Sequence, residues 1–271
     1  MADPVHPRLD VFLKTEGHFP SREAAQAAIR EGRVIVDGAP AGRPSERVRP
    51  GARVMVTVSP PTYVSRGGQK LEGALRSFRL PVRGRVCLDV GAGTGGFTDC
   101  LLRSGAALVH AVDVGRDQLA FSLRADPRVR IRESTDVRHL AAAELEPRPS
   151  LAAVDVSFIS LRLVLSHVRS LMAPDEPVDV VALVKPQFEA GRGWTRKGIV
   201  RQAAVHRRVL GEVLAAAATT GLAARDLIPS PLRGTRGNAE FLLHLVSPGT
   251  AAVDAGHIRR VVEEVHHAGR T

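Results

Sequence analysis

Residues 85–106, "RVCLDVGAGTGGFTDCLLRSGA", constrain this chain more than any other stretch. An apolar run from Val86 to Val90 meets a cluster of glycines and then a helix-forming segment, "GFTDCLLRSG". Glycines let the backbone turn tightly and approach a ligand, and a helix starting there points its first N–H groups at that ligand. Gly91, Gly93 and Gly96 satisfy G-x-G-x-x-G, a dinucleotide-binding spacing, with Asp113 about twenty residues on. Other features favour S-adenosylmethionine, leaving a nicotinamide dinucleotide as the alternative. Asp89 stands inside the strand, where a carboxylate can reach a cationic amino group, and Gly95-Gly96-Phe97 broadens the turn. Asp136, in "STDVRHL", follows a third short strand where an adenine amino group is held, and Asp113 is placed to accept from ribose hydroxyls. The expected cofactor set is Asp89, Gly91, Gly93, Thr94, Gly96, Phe97, Asp113, Asp136 and Asp155.

Beyond that loop the pattern keeps alternating. "LAAVDVSFIS" reads as a strand, "LRLVLSHVRSLM" as a helix and "VDVVALVK" as a strand. A glycine-rich loop, a long helix over about 201–220 and the strand-like "RDLIPS" and "AEFLLHLV" complete it. Strands spaced by helices predict an α/β fold: a Rossmann-like, mostly parallel doubly wound sheet that holds ligands at the strands' C-terminal ends. The closing hairpin suits the class I methyltransferase form of that sheet.

The basic residues carry a second signal. Lys14, Lys70, Lys185 and Lys197 are the only lysines among 38 basic residues, so 38 − 4 leaves 34 arginines. Arginine stays protonated in proteins, whereas lysine can give up its proton, so Lys185 at the end of "VVALVK" is a candidate base. Asp155 within "AAVDVSF" and Glu240 opening "EFLLHLV" are charges embedded in apolar strands. Such charges are costly unless paired, which predicts a shared site. Lys70 joins them from a helix expected over Lys70 to about Phe78. In that site Lys185 takes a hydroxyl proton, its pKa lowered by desolvation and by Lys70. Asp155 orients its amine, and Glu240 with Lys70 positions the hydroxyl.

Residues 8–58 read as a small α+β unit. Leu9, Phe12 and Leu13 form a helical apolar stripe, Ser21 caps a second helix closed by Gly32, and short β-prone runs follow around "DG" and "PG" turns. The expected organisation is an RNA-binding domain over 1–59, a linker over 60–64 opened by paired prolines, and a catalytic domain over 65–271. Net charge is +10 and the pI about 10.9, which fits a polyanionic partner. Residues 66–85 hold six cations and one acid, a denser basic patch than the N-terminal region has. Cys87 and Cys100 lack metal-site spacing, so no metal is expected. With no apolar leader and no run of about 18 apolar residues, a cytoplasmic protein without stable membrane association is expected. Aromatics at 4% exclude a broad base-stacking platform.

The segments "RLDVFL", "SREAAQAAIREGRVIVDG" and "VRPGARVMV" resemble the alpha-L RNA-binding motif, which implies RNA contacts by Arg8, Arg22, Arg30 and Arg33. "YVSRGGQKL", "LDVGAGTGGFTDCLL", "AVDVSFISL", "LVKPQFE", "GIV" and "SPLRGTRGNAEFLLHL" lie in the order of the TlyA family, known both as hemolysins and as rRNA 2′-O-methyltransferases. Its catalytic domain is similar to FtsJ-type enzymes, whose Lys-Asp-Lys-Glu tetrad falls on Lys70, Asp155, Lys185 and Glu240. The resemblance implies methylation of cytidine riboses of ribosomal RNA in assembled subunits, 16S and 23S alike, with capreomycin and viomycin sensitivity as a consequence. Arg66 is expected at the RNA. The chain departs from the family at Asp136, often Asn there, and at "GAGTGG" for "GASTGG". A membrane-active hemolysin, using "HIRRVVEEVHHAG" as an amphipathic helix, and a non-catalytic assembly factor are the alternatives.

Overall fold

Local sequence rules account for most of the elements in the computed structural model, which describes residues 6–19, 21–30, 32–56, 62–191, 193–195, 198–234 and 236–267. The chain divides into two units, Met1–Thr62 and Tyr63–Thr271. Residues 57–61, which include the start of the expected linker, lie outside the described residues.

In the first unit, helices α1 (Leu9–Thr15) and α2 (Arg22–Arg30) precede strands β1 (Val34–Val36), β2 (Ala39–Pro40) and β3 (Val54–Val56). The Ser21 hydroxyl accepts from Ala24 N–H at 3.1 Å, capping α2 as its residue type predicts. Asp37 and Gly38 both take positive φ, the conformation that turns β1 into β2, and β1 is the middle strand of an antiparallel trio. Leu9, Leu13, Ala25, Ala28, Ile29 and Val34 form its core. Asp10 is fully buried beside that core and accepts hydrogen bonds from Arg8, Arg22 and Gln26.

The second unit carries α3 (Arg66–Ser77), β4 (Val86–Val90), α4 (Gly96–Arg103), β5 (Leu108–Val112), α5 (Phe121–Arg124) and β6 (Val129–Arg132). There follow β7 (Leu151–Val154), α6 (Leu165–Leu171), β8 (Val178–Val184), α7 (Pro186–Glu189), α8 (Ala203–Thr219), β9 (Ala223–Pro229), β10 (Phe241–Ser247) and α9 (Ala255–His267). The sheet order is β6-β5-β4-β7-β8-β10-β9. The first five strands are parallel and β10 is antiparallel to both neighbours. Alternation along β8 sends Val180, Ala182 and Val184 into one core layer with α6, α8 and α9, and Val181 and Leu183 into the other with α3 and α4. Helix α3 begins four residues earlier than its sequence predicts, because Ser65 caps it by accepting from Gly67 N–H at 3.3 Å. Ile258, Val261 and Val262 of α9 are buried in the main core, so that helix spends its apolar face on the fold. Among the described residues no helix is long and apolar enough to cross a membrane.

The guanidinium of Arg8 above all, with Gln26 and Arg22, holds the Asp10 carboxyl well below the usual carboxylate range. A depressed carboxylate stabilises the fold above its unfolded pKa of about 3.9 and loses that contribution as pH falls below it. Asp10→Ala, which strands two half-exposed arginines and a glutamine, should cost about 1–3 kcal/mol at neutral pH, with the deficit shrinking below about pH 4. Hydrogen exchange of the α1 and α2 amides reads this directly, since the only Trp and Tyr lie in the other unit. Unchanged exchange at neutral pH would contradict the role given to Asp10.

Candidate active site

Parallel strands end at the same edge of a sheet, and an antiparallel strand begins there. Val90 pairs with Val112 and Val154, and Val184 pairs with Phe241. Gly91, Asp113, Asp155 and Lys185 therefore each stand one residue beyond a strand, and Glu240 one residue before β10. Asp155, Lys185 and Glu240 flank their strands rather than sitting inside them, a correction with a simple physical basis. The ladder stops where these side chains leave the sheet to pair with one another and with Lys70.

That edge borders a cleft of about 770 Å³, within the usual range for small-molecule sites. Its walls include Lys70, Gly91, Gly93, Thr94, Gly96, Phe97, Asp113, Asp136, Asp155 and Lys185. Lys70 Nζ lies 2.5 Å from Glu240 Oε2, a pair almost completely buried on the glutamate side. Lys185 Nζ lies 2.6 Å from Asp155 Oδ1 and donates to Ser157 Oγ at 2.8 Å. Its contact with Asp155 is a charge pair rather than an aligned hydrogen bond, as that oxygen has no hydrogen-bond partner among the described residues. Each lysine thus faces its own carboxylate, Asp155 beside Lys185 and Glu240 beside Lys70, with both lysines in the wall of one cleft.

The glycine loop is close-fitting. Gly91 has φ +86°, and a Cβ there would run into the Asp155 carbonyl oxygen. At Gly96 a Cβ would strike the Ser65 hydroxyl, so α4 and the start of α3 touch where the cleft begins. Asp113 accepts from Gly93 N–H at 2.7 Å and Gly115 N–H at 2.6 Å, fixing the loop's shape. Asp136 caps a short 3₁₀ turn and is gripped by Arg138, which holds its carboxyl down to about 2. Asp89 differs from its expected place. It is fully buried behind the loop rather than in the cleft wall, with Oδ2 accepting from Thr98 Oγ1 at 2.6 Å and Oδ1 without a hydrogen-bond partner among the described residues. Burial pushes its pKa up to about 7, against the hydrogen bond from Thr98.

The expected RNA-binding arginines do not form one set. Arg8 and Arg22, about half exposed, are oriented by Asp10. Arg33 lies over the Phe19 ring, and the Arg30 side chain lies outside what the structure describes. Arg66 lines the cleft of the second unit and donates to the Arg233 carbonyl at 3.1 Å. Sequence reasoning passed over Ser157, Arg233, Phe158 and Gly234. Phe158 is 91% exposed in the cleft wall, with φ +65° and its ring 5.0 Å from that of Phe188. Any side chain at Gly234 would run into Glu240. The signals were present in "DVSF" and "PLRGTRG", but they depend on contacts that spacing does not reveal. Among the described residues no cluster of His, Cys, Asp or Glu could hold a metal.

The FtsJ-like methyltransferase family model matches residues 63–247, and the S4 domain model matches residues 7–54. YqxC of Bacillus subtilis, a candidate rRNA methyltransferase, is 44% identical over 265 residues, 96% of this chain and 94% of that one. TlyA of Mycobacterium tuberculosis, a 16S/23S rRNA (cytidine-2′-O)-methyltransferase, is 41% identical over 263 residues, 96% of each chain. The solved structure of a candidate hemolysin from Streptococcus thermophilus superposes with a TM-score of 0.77 at 40% identity, covering 99% of this chain and 98% of that one.

A carboxyl raised by burial takes up protons on folding, so it lowers stability progressively as pH climbs from about 4 to 7. Asp89→Asn should therefore stabilise the ligand-free protein by a few kcal/mol at pH 8, and the gain should fade towards pH 4. Denaturant unfolding at the two pH values checks this. A destabilised variant at pH 8 would mean that the carboxylate is held by partners rather than exposed to a burial cost.

Proposed function

Because the chain belongs to the FtsJ-like methyltransferase family and carries an S4 domain, we propose that it methylates the ribose 2′-oxygen of cytidines in ribosomal RNA, with S-adenosylmethionine as donor. The carrying observation is that the Lys185–Asp155 and Lys70–Glu240 pairs stand at the same sheet edge as the glycine loop, with both lysines in the wall of its cleft. The 16S/23S relative, collinear over 96% of both chains, supports action on both subunits, and with it an effect on capreomycin and viomycin sensitivity. The net charge of +10 and the S4 domain support docking on rRNA, and a cytoplasmic site of action follows from that substrate.

The residues fit the donor. Gly91 leaves no room for a side chain, Asp89 keeps an unpartnered oxygen behind the loop, and Asp113 and Asp136 bring carboxylates to the cleft wall. Gly91, Gly93, Thr94, Gly96, Phe97, Asp113, Asp136 and Asp155 line the cleft and would hold it, with Asp89 supporting the loop from behind. When bound, it supplies an electrophilic methyl group on a sulfonium.

The chain's own residues orient the acceptor and remove its proton. Glu240, buried outside the cleft wall, holds the Lys70 ammonium in that wall through their 2.5 Å contact, and Lys70 is placed to position the ribose hydroxyl. The Lys185 amine, in its neutral form, takes the hydroxyl proton and becomes an ammonium, whose charge the Asp155 carboxylate 2.6 Å away stabilises. Ser157 fixes the direction of Nζ. Phe158 presents one ring at the cleft mouth, enough to stack a single splayed base without a broad aromatic platform. The hemolysin reading has less support, since the apolar face of α9 is packed in the core.

Transfer of labelled methyl to unmodified 30S and 50S subunits, with the product nucleotide mapped, tests this. Label on a cytidine 2′-oxygen in each subunit is expected. Lys185→Arg, which keeps charge but not the capacity to deprotonate, should lose roughly a hundredfold or more. Label on a base, or near-normal transfer by Lys185→Arg, would overturn the proposal. Tight rRNA binding without any transfer would favour the assembly factor.

A further inference from the structure

The described cations in the cleft wall are Arg66, Lys70, Arg138, Lys185 and Arg233. Three of them face a carboxylate: Lys70 with Glu240, Arg138 with Asp136, and Lys185 with Asp155. Arg66 and Arg233 have no carboxylate partner among the described residues. Arg66 donates only to the Arg233 carbonyl, and Arg233 makes long contacts of 3.5 and 3.4 Å to the carbonyls of Gly237 and Val265. Elsewhere in this unit arginines near acids are paired, as with Arg85–Asp179, Arg103–Asp99, Arg124–Glu133 and Arg128–Asp126. Arg66 and Arg233 are both exposed, and the Arg66 guanidinium donates to the Arg233 backbone carbonyl. Arg66 opens α3, whose first turn holds no acid, one helical turn before Lys70. Arg233 precedes Gly234, which packs on Glu240. The unneutralised positive charge therefore borders the Lys70–Glu240 pair.

We infer that Arg66 and Arg233 form an anion clamp that takes the phosphodiester next to the reactive ribose. The inference rests on the proposed ribose methylation. In an RNA chain the carbon beside the 2′-hydroxyl carries the 3′-phosphate, so seating that hydroxyl at Lys70 and Lys185 brings a phosphodiester to the adjoining wall. Guanidinium groups bind phosphate oxygens through paired N–H donors. The clamp gives the site a preference for a nucleotide within a chain over a free nucleoside. The other anion the cleft can receive is the donor's carboxylate, and the measurements separate the two.

Arg66→Gln, Arg233→Gln, the double variant and Arg207→Gln, an exposed control on α8, are compared with the wild type. Subunit binding is measured over a range of salt, methyl transfer separately, and donor-site affinity as thermal stabilisation by S-adenosylhomocysteine, which also reports folding. Each clamp variant should weaken subunit binding about tenfold or more and flatten the slope of log affinity against log salt by about one, leaving donor-site affinity unchanged. Arg233→Lys should keep the slope and lose part of the affinity. An unchanged slope and affinity in the double variant would overturn the clamp, and a loss confined to S-adenosylhomocysteine would reassign the arginines to the donor. Wild-type protein that binds subunits but transfers nothing would refute the ribose chemistry, while the salt slope would still decide the phosphate contact.

Discussion

The structure depends on the register with which the strands of the larger unit finish. Val90, Val112, Val154 and Val184 end parallel strands at one edge, and Phe241 starts an antiparallel strand opposite Val184. Hydrogen bonding along the ladder fixes those positions, and the next residue out on each strand is Gly91, Asp113, Asp155, Lys185 or Glu240. A slip of one residue in β10 would turn its alternating side chains to the wrong layers and carry Glu240 away from Lys70. The site is thus set by the same pairing that sets the core.

Placing charge at that edge has a stability cost, and the chain limits it by pairing. Lys70 and Glu240 are both largely removed from water, and either one alone would be an uncompensated charge. Asp89 is fully buried behind the glycine loop, where Thr98 donates to Oδ2 and Oδ1 has no hydrogen-bond partner among the described residues. The long apolar strands β8 and β10, packed between helices on both faces, supply the burial that tolerates these groups.

Much of this was legible in the sequence because it rests on local pattern. The strand–glycine–helix step, the βα alternation and the choice of lysine over arginine at Lys185 all concern neighbouring residues or residue type. Partnering across the chain was not legible. Lys70 meets Glu240 over 170 positions and Arg85 meets Asp179 over 94, and no spacing rule reaches that far. For the same reason the sequence did not show that Arg233 belongs beside Arg66, 167 positions away. The start of α3 was missed for a smaller reason: Ser65 caps a helix whose first turn, "RGG", has low helix propensity.

The central claim is that this edge presents a lysine amine as the proton acceptor for an RNA hydroxyl. Chemical rescue of Lys185→Ala tests it most directly, using methyl transfer to ribosomal subunits with added small amines. The account predicts that methylamine restores transfer in proportion to its neutral fraction, whereas guanidinium, equally cationic but unable to deprotonate, does not. Rescue by both cations alike, or full activity of Lys185→Ala without any amine, would show that the site needs a positive charge or nothing there, and not a base.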